Sequence, residues 1–450
     1  MTDLIRPGFD ASLSGGNPAR MDAPTGRGTA SGPDENPIEA DLLGREFAFL
    51  LACVRRFFQP ETPIPSATGL DWRKLVQLAE GHAVVALLCQ AVQGYSEIPT
   101  EVLDDLRRRC FEGARFDLTL SEELVRVLEL FEGHQIQVVA LKGPVLGLTL
   151  YGTEGLRSCS DLDLLVHPSD LLRAKRLLES TGYRLESVLC WPVDKACFRR
   201  RDSQISFSRQ TAGQIETLWI DLHWRLLPGY FLHSFDDCEL WRNLRKIPVT
   251  GISASTLQPE DLLLFLCAHG TKHLWGRLGW ICDIARLLQL ERSLNWPRVF
   301  AEARQMDISR MVVLGLLLAS ELLGVDLPPT AVEYTRKDRT DQAVAAIKKR
   351  LYGQVLTPPS GIEYLLFTRH MFDRAGNRVR FILGHFLAPT ELEYQAIKLP
   401  PLLHWVYYLF RPIRLIGKYA RAWFDGIWMK ERCNRGSSDD HCVANSHRLP

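Results

Sequence analysis

Asp161 and Asp163 lie one residue apart inside Arg157-Ser158-Cys159-Ser160-Asp161-Leu162-Asp163-Leu164-Leu165-Val166, an apolar run that reads as a buried strand. Side chains alternate across a strand, so the two carboxylates share a face. Like charges side by side in a buried sheet are costly until a cation neutralises them. Hard divalent ions such as Mg2+ take carboxylate oxygens and commonly bring phosphates with them. Phosphoryl or nucleotidyl transfer is therefore the chemistry to expect. A third acid of the same kind is Asp221, embedded in the apolar run Trp219-Ile220-Asp221-Leu222-His223-Trp224. Were these two strands neighbours, three carboxylates would hold two metal ions about 3.5–4 Å apart. One ion would grip a triphosphate and the other an acceptor hydroxyl, with Asp221 bridging or taking the proton. His223 shares the face of Asp221, which suits it to orient the acceptor or act as a base.

Phosphate needs positive charge or free amides. Lys142-Gly143-Pro144 marks the junction of a strand with a helix, where exposed amides, the helix dipole and the Lys142 ammonium converge. Pro144 removes only an amide that a first helical turn leaves free. Arg157, four residues before Asp161 in the approaching loop, is a candidate to contact phosphate or to balance the acids. Ser160 adjoins the pair and can donate to phosphate. His269 and His273 are four apart and so occupy one side of a helix. The intervening Gly270-Thr271-Lys272 lacks the glutamate of the zinc-peptidase H-E-x-x-H form. No Walker phosphate loop, dinucleotide fingerprint or nucleophile elbow is found.

The elements that must position these groups follow from periodicity. Apolar residues recur at helical spacing from about Leu42 to Glu132, interrupted by Pro60–Pro65 and Pro99, which predicts an N-terminal helical domain over 41–135. The period then shortens. Ile136-Gln137-Val138-Val139-Ala140-Leu141 is β-branched, Pro144 to Tyr151 reads as a helix, and the Asp161 strand follows. A helix with an apolar face of Leu171, Leu172, Ala174, Leu177 and Leu178 ends at Gly182. Strands are expected around Tyr183–Leu185, Ile205–Phe207 and Thr217–Trp224. This sets an α/β core over 136–250. Thr256-Leu257-Gln258-Pro259-Glu260-Asp261 opens a helix with a cap, a proline and acids at the positive dipole end. It predicts a helical domain over 251–330 and a C-terminal helical region over 331–433. The first 40 residues, rich in Gly, Pro and Ser, are expected to be a disordered leader, and 434–450 a disordered tail.

Composition narrows the class. At 450 residues, two to four packed units are expected. A formal net charge of +1 gives no general electrostatic grip on nucleic acid. Eleven cysteines without any C-x-x-C pair point to reduced thiols and a cytoplasmic location. No segment reaches the roughly 18–20 apolar residues needed to span a bilayer; Met311 to Leu323 reads as a core helix. The stretch from Leu399 to Lys430 mixes Trp405, Tyr407, Tyr408, Phe410 and Trp423 with Arg411, Arg414, Lys418 and Arg421. A basic amphipathic helix of this kind can contact a partner or a membrane surface, or dock on the core with its arginines in water.

The ordered set Leu141-Lys142-Gly143, Arg157, Asp161-Leu162-Asp163-Leu164-Leu165-Val166, Gly182-Tyr183 and Ile220-Asp221-Leu222-His223-Trp224 resembles the bacterial uncharacterised nucleotidyltransferase family of the DNA polymerase β superfamily. The later Leu263 to Leu288 segment, with His269, Lys272, His273, Trp275 and Asp283, extends the resemblance to most of residues 40–420. The superfamily's Gly-Ser helix start is here Lys142-Gly143-Pro144, closer to the Lys-Gly-Gly form of abortive-infection nucleotidyltransferase toxins. The resemblance implies an α+β fold: a polymerase-β-like core with a mixed sheet between helical domains. It implies Asp161, Asp163 and Asp221 as catalytic metal ligands for two Mg2+ ions. Lys142, Gly143, Arg157 and Ser160 would bind the nucleotide. The helix bearing His269, Lys272 and His273 would line the cleft, with those residues and His223 near acceptor or phosphate. The expected activity is transfer of an NMP from an NTP to a hydroxyl with release of pyrophosphate. The acceptor is left open among a small molecule, a peptide, a protein and tRNA. The competing reading is a catalytically inactive nucleotide-binding or interaction protein of the same fold.

Overall fold

The computed structural model describes residues 44–186, 203–210, 217–227, 237–337, 340–353, 361–387 and, with short interruptions, 389–417. The expected leader (1–40) and tail (434–450) lie outside the described residues. Five strands form one mixed sheet in the order β1-β2-β5-β4-β3. They are β1 (Val138–Ala140), β2 (Leu162–Val166), β3 (Arg184–Leu185), β4 (Gln204–Gln210) and β5 (Thr217–His223). The β2–β5 pair is parallel, and the other three pairings are antiparallel. β2 is buried along its whole length, which accounts for its continuous Leu-x-Leu-Leu-Val composition in place of a polar/apolar alternation.

Helices cover this sheet. α4 (Thr100–Gly133) turns the stripe Leu120, Leu124, Val127 and Phe131 onto it, together with α6 (Leu171–Ser180). α5 (Pro144–Tyr151) connects β1 to the loop before β2, and its end is set by Gly152 in the left-handed conformation. A hairpin, β6 (Arg245–Val249) and β7 (Ile252–Thr256), turns through Thr250-Gly251, both with positive φ, as a two-residue type I′ turn requires. Thr256 Oγ1 donates to the Ala140 carbonyl at 2.7 Å and so docks the hairpin beside β1.

A second core is mainly helical, with Val139 of β1 and Leu165 of β2 packed into it. It joins α1 (Arg45–Phe58), α2 (Trp72–Gly81) and α3 (Val85–Val92) to α8 (Pro259–Lys272), α9 (Leu278–Leu290) and α11 (Ser309–Leu323). The short helix α7 (Asp237–Arg242) precedes the hairpin, and α10 (Trp296–Met306) precedes α11. Pro259 occupies the first turn of α8 with Glu260 and Asp261 behind it, as expected, although Gln258 rather than Thr256 is the N-cap because Thr256 is the last residue of β7. Further on come α12 (Pro329–Lys337), α13 (Asp341–Tyr352), α14 (Gly361–His370), α15 (Ala375–Leu387), α16 (Glu391–Ala396) and a helix over 406–417, α17. Among the described residues no helix is long and apolar enough to cross a membrane.

Candidate functional site

The register of β2 against β5 sets Asp163 directly opposite Asp221. Asp161 sits one residue before β2, outside the strand proper, and is half-buried, whereas Asp163 is 2% exposed. Asp163 Oδ1 meets the Lys142 ammonium at 3.1 Å and His223 Nε2 at 3.0 Å. Since a carboxylate only accepts, Nε2 carries the proton in that bond. Asp163 Oδ2 and His223 Nδ1 are buried and have no hydrogen-bond partner among the described residues. On Asp221, Ser206 Oγ donates to one oxygen at 2.6 Å and the Gln204 amide donates to the other. Ser160 Oγ donates to Asp161 Oδ1 at 3.0 Å. One donor atom each from Asp163, Asp221 and His223 lies within 4.8 Å of the others, a spacing suited to a cation.

The electrostatics divide the acids. Burial, then the charges of Asp163 and Asp221, raise the Asp161 carboxyl above its usual value, although Lys142 opposes the shift. Burial alone would raise Asp163 as well, but Lys142 and His223 outweigh it and hold this carboxyl well below the usual range. The sequence leaves the neutralising charge to a metal or to Arg157; in the protein Lys142 supplies it.

Lys142 reaches Asp163 because β1 runs antiparallel to β2 and the Leu141 amide donates to the Asp163 carbonyl at 2.9 Å. Gly143 then turns the chain into α5 at φ 65°, ψ −143°. A Cβ at this position would lie 2.8 Å from the Asp161 carbonyl oxygen. Glycine is therefore required both by the backbone conformation and by the close approach of the acid-bearing segment.

Arg157 lines the cavity but does not face the acid pair. Its Nε lies 3.1 Å from both carboxylate oxygens of Asp283, a residue of α9 that also accepts from the Tyr151 hydroxyl at 3.2 Å. The expectation that Arg157 balances Asp161 and Asp163 is thus corrected. A buried guanidinium takes a buried carboxylate that nothing else neutralises, and Asp163 already has Lys142. The same loop is held from behind by Asp117 of α4, 2% exposed, whose carboxylate accepts the Gly155 and Cys159 amides, both at 3.2 Å. Burial pushes its pKa up to about 6 against those amide bonds.

The opposite wall comes from α8 and α9. His269 and His273 lie with ring centroids 4.6 Å apart, and the Trp280 ring is 5.2 Å from His273. Burial, reinforced by the nearby Lys142 and Lys272 charges, lowers both imidazoles, His273 to about 3, so both are neutral. Lys142, Gly143, Ser160, Asp161, Asp163, Asp221, His269, Lys272 and His273 all line one cavity of about 360 Å3, and His223 reaches it through Asp163. The expected set is brought together with one change of partner, that of Arg157.

Sequence reasoning missed four contributors. Gln204 and Ser206 alternate with Ile205 and Phe207 on β4, and this polar face of period two was the available signal. Asp117 falls on the α4 apolar stripe, three residues before Leu120, where an acid is out of place. Trp280 sits two residues into α9 and carries no chemical signature.

The model of the uncharacterised nucleotidyltransferase family matches residues 68–324, more than half of the chain, and the protein belongs to that family. The matched region contains every site residue named above. A solved structure, that of an antigenic nucleotidyltransferase-like protein from Paracoccidioides brasiliensis, is 16% identical over 48% of this chain and 95% of its own. Its TM-score is 0.28, too loose a superposition for residue correspondences. No curated protein matches the sequence.

Proposed function

We propose that the protein is a metal-dependent nucleotidyltransferase that moves an NMP from an NTP to an acceptor hydroxyl and releases pyrophosphate. The observation that carries this reading is the parallel register opposing Asp163 to Asp221, with Asp161 alongside, in a cavity whose rim offers Lys142 and a helix start. The donor set suits divalent ions, Mg2+ first: two carboxylates and an imidazole lie within reach of one another, and a buried carboxylate oxygen has no hydrogen-bond partner among the described residues. In the proposal Asp161, Asp163 and Asp221 hold two such ions. When bound, they neutralise the triphosphate and lower the pKa of the acceptor hydroxyl.

The chain's own groups do the rest. Lys142, 3.1 Å from Asp163 and lining the cavity, is the cation that would meet the triphosphate. The amides at the start of α5 and the Ser160 hydroxyl hold phosphate oxygens. Asp221 accepts the acceptor's proton as the new O–Pα bond forms and the bond from Pα to the β-phosphate oxygen breaks, which sends the electron pair to pyrophosphate. Gln204 and Ser206 fix the orientation of that carboxylate. The neutral His269 and His273 with Trp280 offer an uncharged aromatic wall to the base or the acceptor. Arg157, paired with Asp283, positions the loop and leaves phosphate to Lys142.

One observation favours the second reading, a catalytically inactive nucleotide-binding protein: the Lys142 ammonium already neutralises Asp163. Incubating labelled NTPs with cell extract and either the wild type or an Asp161→Asn/Asp163→Asn variant separates the two. Label transferred only by the wild type supports the enzyme. Binding without transfer supports the second reading.

A further inference from the structure

Helix α17 turns a charged residue inward. Tyr407, Arg411 and Leu415, spaced by four, form the buried side, and Arg411 is only 4% exposed. Its guanidinium donates to Glu393 at 3.0 Å and, through Nε, to the His385 carbonyl at 2.9 Å; Arg414 also donates to the fully buried Glu393. The opposite side, which faces solvent, carries Leu409, Ile413 and Ile416, with Trp405 just before the helix. Trp405 is 60% exposed and Ile413 and Ile416 are each 67% exposed. α15, joined to α17 by the Arg411 bond, shows the same arrangement: Phe381 is buried while Val379, Leu383 and Leu387, again spaced by four, are exposed. An ion cluster inside and large aliphatic groups outside is the reverse of a water-facing helix.

We propose that this face docks on an anionic phospholipid surface. Charge selects the occupant. Between Asp373 and Arg421 the sequence carries eight Lys and Arg against three acids, in a chain whose formal net charge is +1. This basic excess is attracted to anionic headgroups, while the apolar stripe enters the acyl boundary. Trp405 and Tyr408 are the aromatic types that favour the membrane interface. A second copy would bring one basic surface against another. The same objection applies to residues 418–435 of this chain, which are themselves net basic. No described helix can span a bilayer, so the attachment is peripheral.

The test uses the full-length protein in co-sedimentation with phosphatidylcholine vesicles, with and without phosphatidylglycerol. The proposal expects pelleting with the phosphatidylglycerol vesicles that weakens as salt rises. It expects a Leu409→Glu/Ile413→Glu variant to lose about tenfold or more in partitioning while its melting temperature and NTP binding are unchanged. A wild type that stays in the supernatant with every vesicle overturns the proposal, as does equal pelleting of the variant. Two further outcomes also overturn it. A concentration-dependent dimer abolished by the same variant, without vesicle binding, assigns the face to a second copy. An Ile413→Cys thiol protected from maleimide in the absence of vesicles assigns it to the chain's own terminal segment.

Discussion

Replacing Gly143 by alanine should both destabilise the protein and disable its nucleotide site, whereas the same change four residues later should do neither. Gly143 sits at φ 65°, ψ −143°, a region almost closed to residues with a side chain, and an added Cβ would lie 2.8 Å from the Asp161 carbonyl. Occupying such a region costs about 1–3 kcal/mol. At ~2 °C per kcal/mol for a large unit, melting falls by roughly 2–6 °C. The clash can be relieved only by moving the Asp161 segment, and misplacement on the ångström scale should weaken Mg·NTP binding by about tenfold or more. Gly147, in the middle of α5, is the control, since its Cβ would meet Arg157 Cβ at an ordinary 3.9 Å. Alanine there raises helix propensity and should stabilise by about 0.5–1 kcal/mol. Thermal unfolding and calorimetric NTP titration of both variants provide the readouts. A Gly143→Ala protein that melts at or above the wild type and binds NTP normally refutes the close approach on which the site is built.

Three further outcomes follow from the same geometry. Asp161 has a raised pKa, so its proton contributes stability at low pH that is lost as pH climbs through the folded-state value. A divalent ion takes over that role, and the rise in melting temperature on adding Mg2+ or Mn2+ should therefore grow as pH increases from the ordinary value of 3.8. A pH-independent rise would contradict it. Asp283→Asn strands the buried Arg157 guanidinium and should cost about 3–5 kcal/mol in urea unfolding, partly recovered when Arg157 is also made Met. Asp117→Asn retains one acceptor but aims an amide N–H at a backbone N–H of the 155–159 loop. It should cost about 1–3 kcal/mol and raise the KM for NTP while leaving the far-UV spectrum unchanged.

Much of the fold is legible in local pattern. The β-branched 136–141 segment, the apolar runs around Asp163 and Asp221, and the proline-then-acid start of α8 each announce an element within a few residues. An α/β unit among abundant helices follows from their order, and the mixed sheet is what the family resemblance implies. Pairing is a different matter, because nothing in 161–166 or 217–224 states that the two strands lie side by side; that is a non-local property, seen only once the sheet and the α4 and α6 residues share one core. Charge partners are equally non-local. Arg157 finds Asp283, 126 residues later, and the acid pair finds Lys142, a residue read from sequence as a phosphate ligand. The orientation of α17 was also hidden, because a mixture of aromatics and arginines at helical spacing fits arginine-out as readily as the arginine-in packing seen at Glu393.

The most direct test of the central claim is calorimetric titration of a non-hydrolysable NTP analogue into the wild type, Asp161→Asn and Asp221→Asn, each with and without Mg2+. Wild-type binding should require the ion, and either folded variant should lose about tenfold or more in affinity. Equal binding by all three proteins, indifferent to Mg2+, would contradict it.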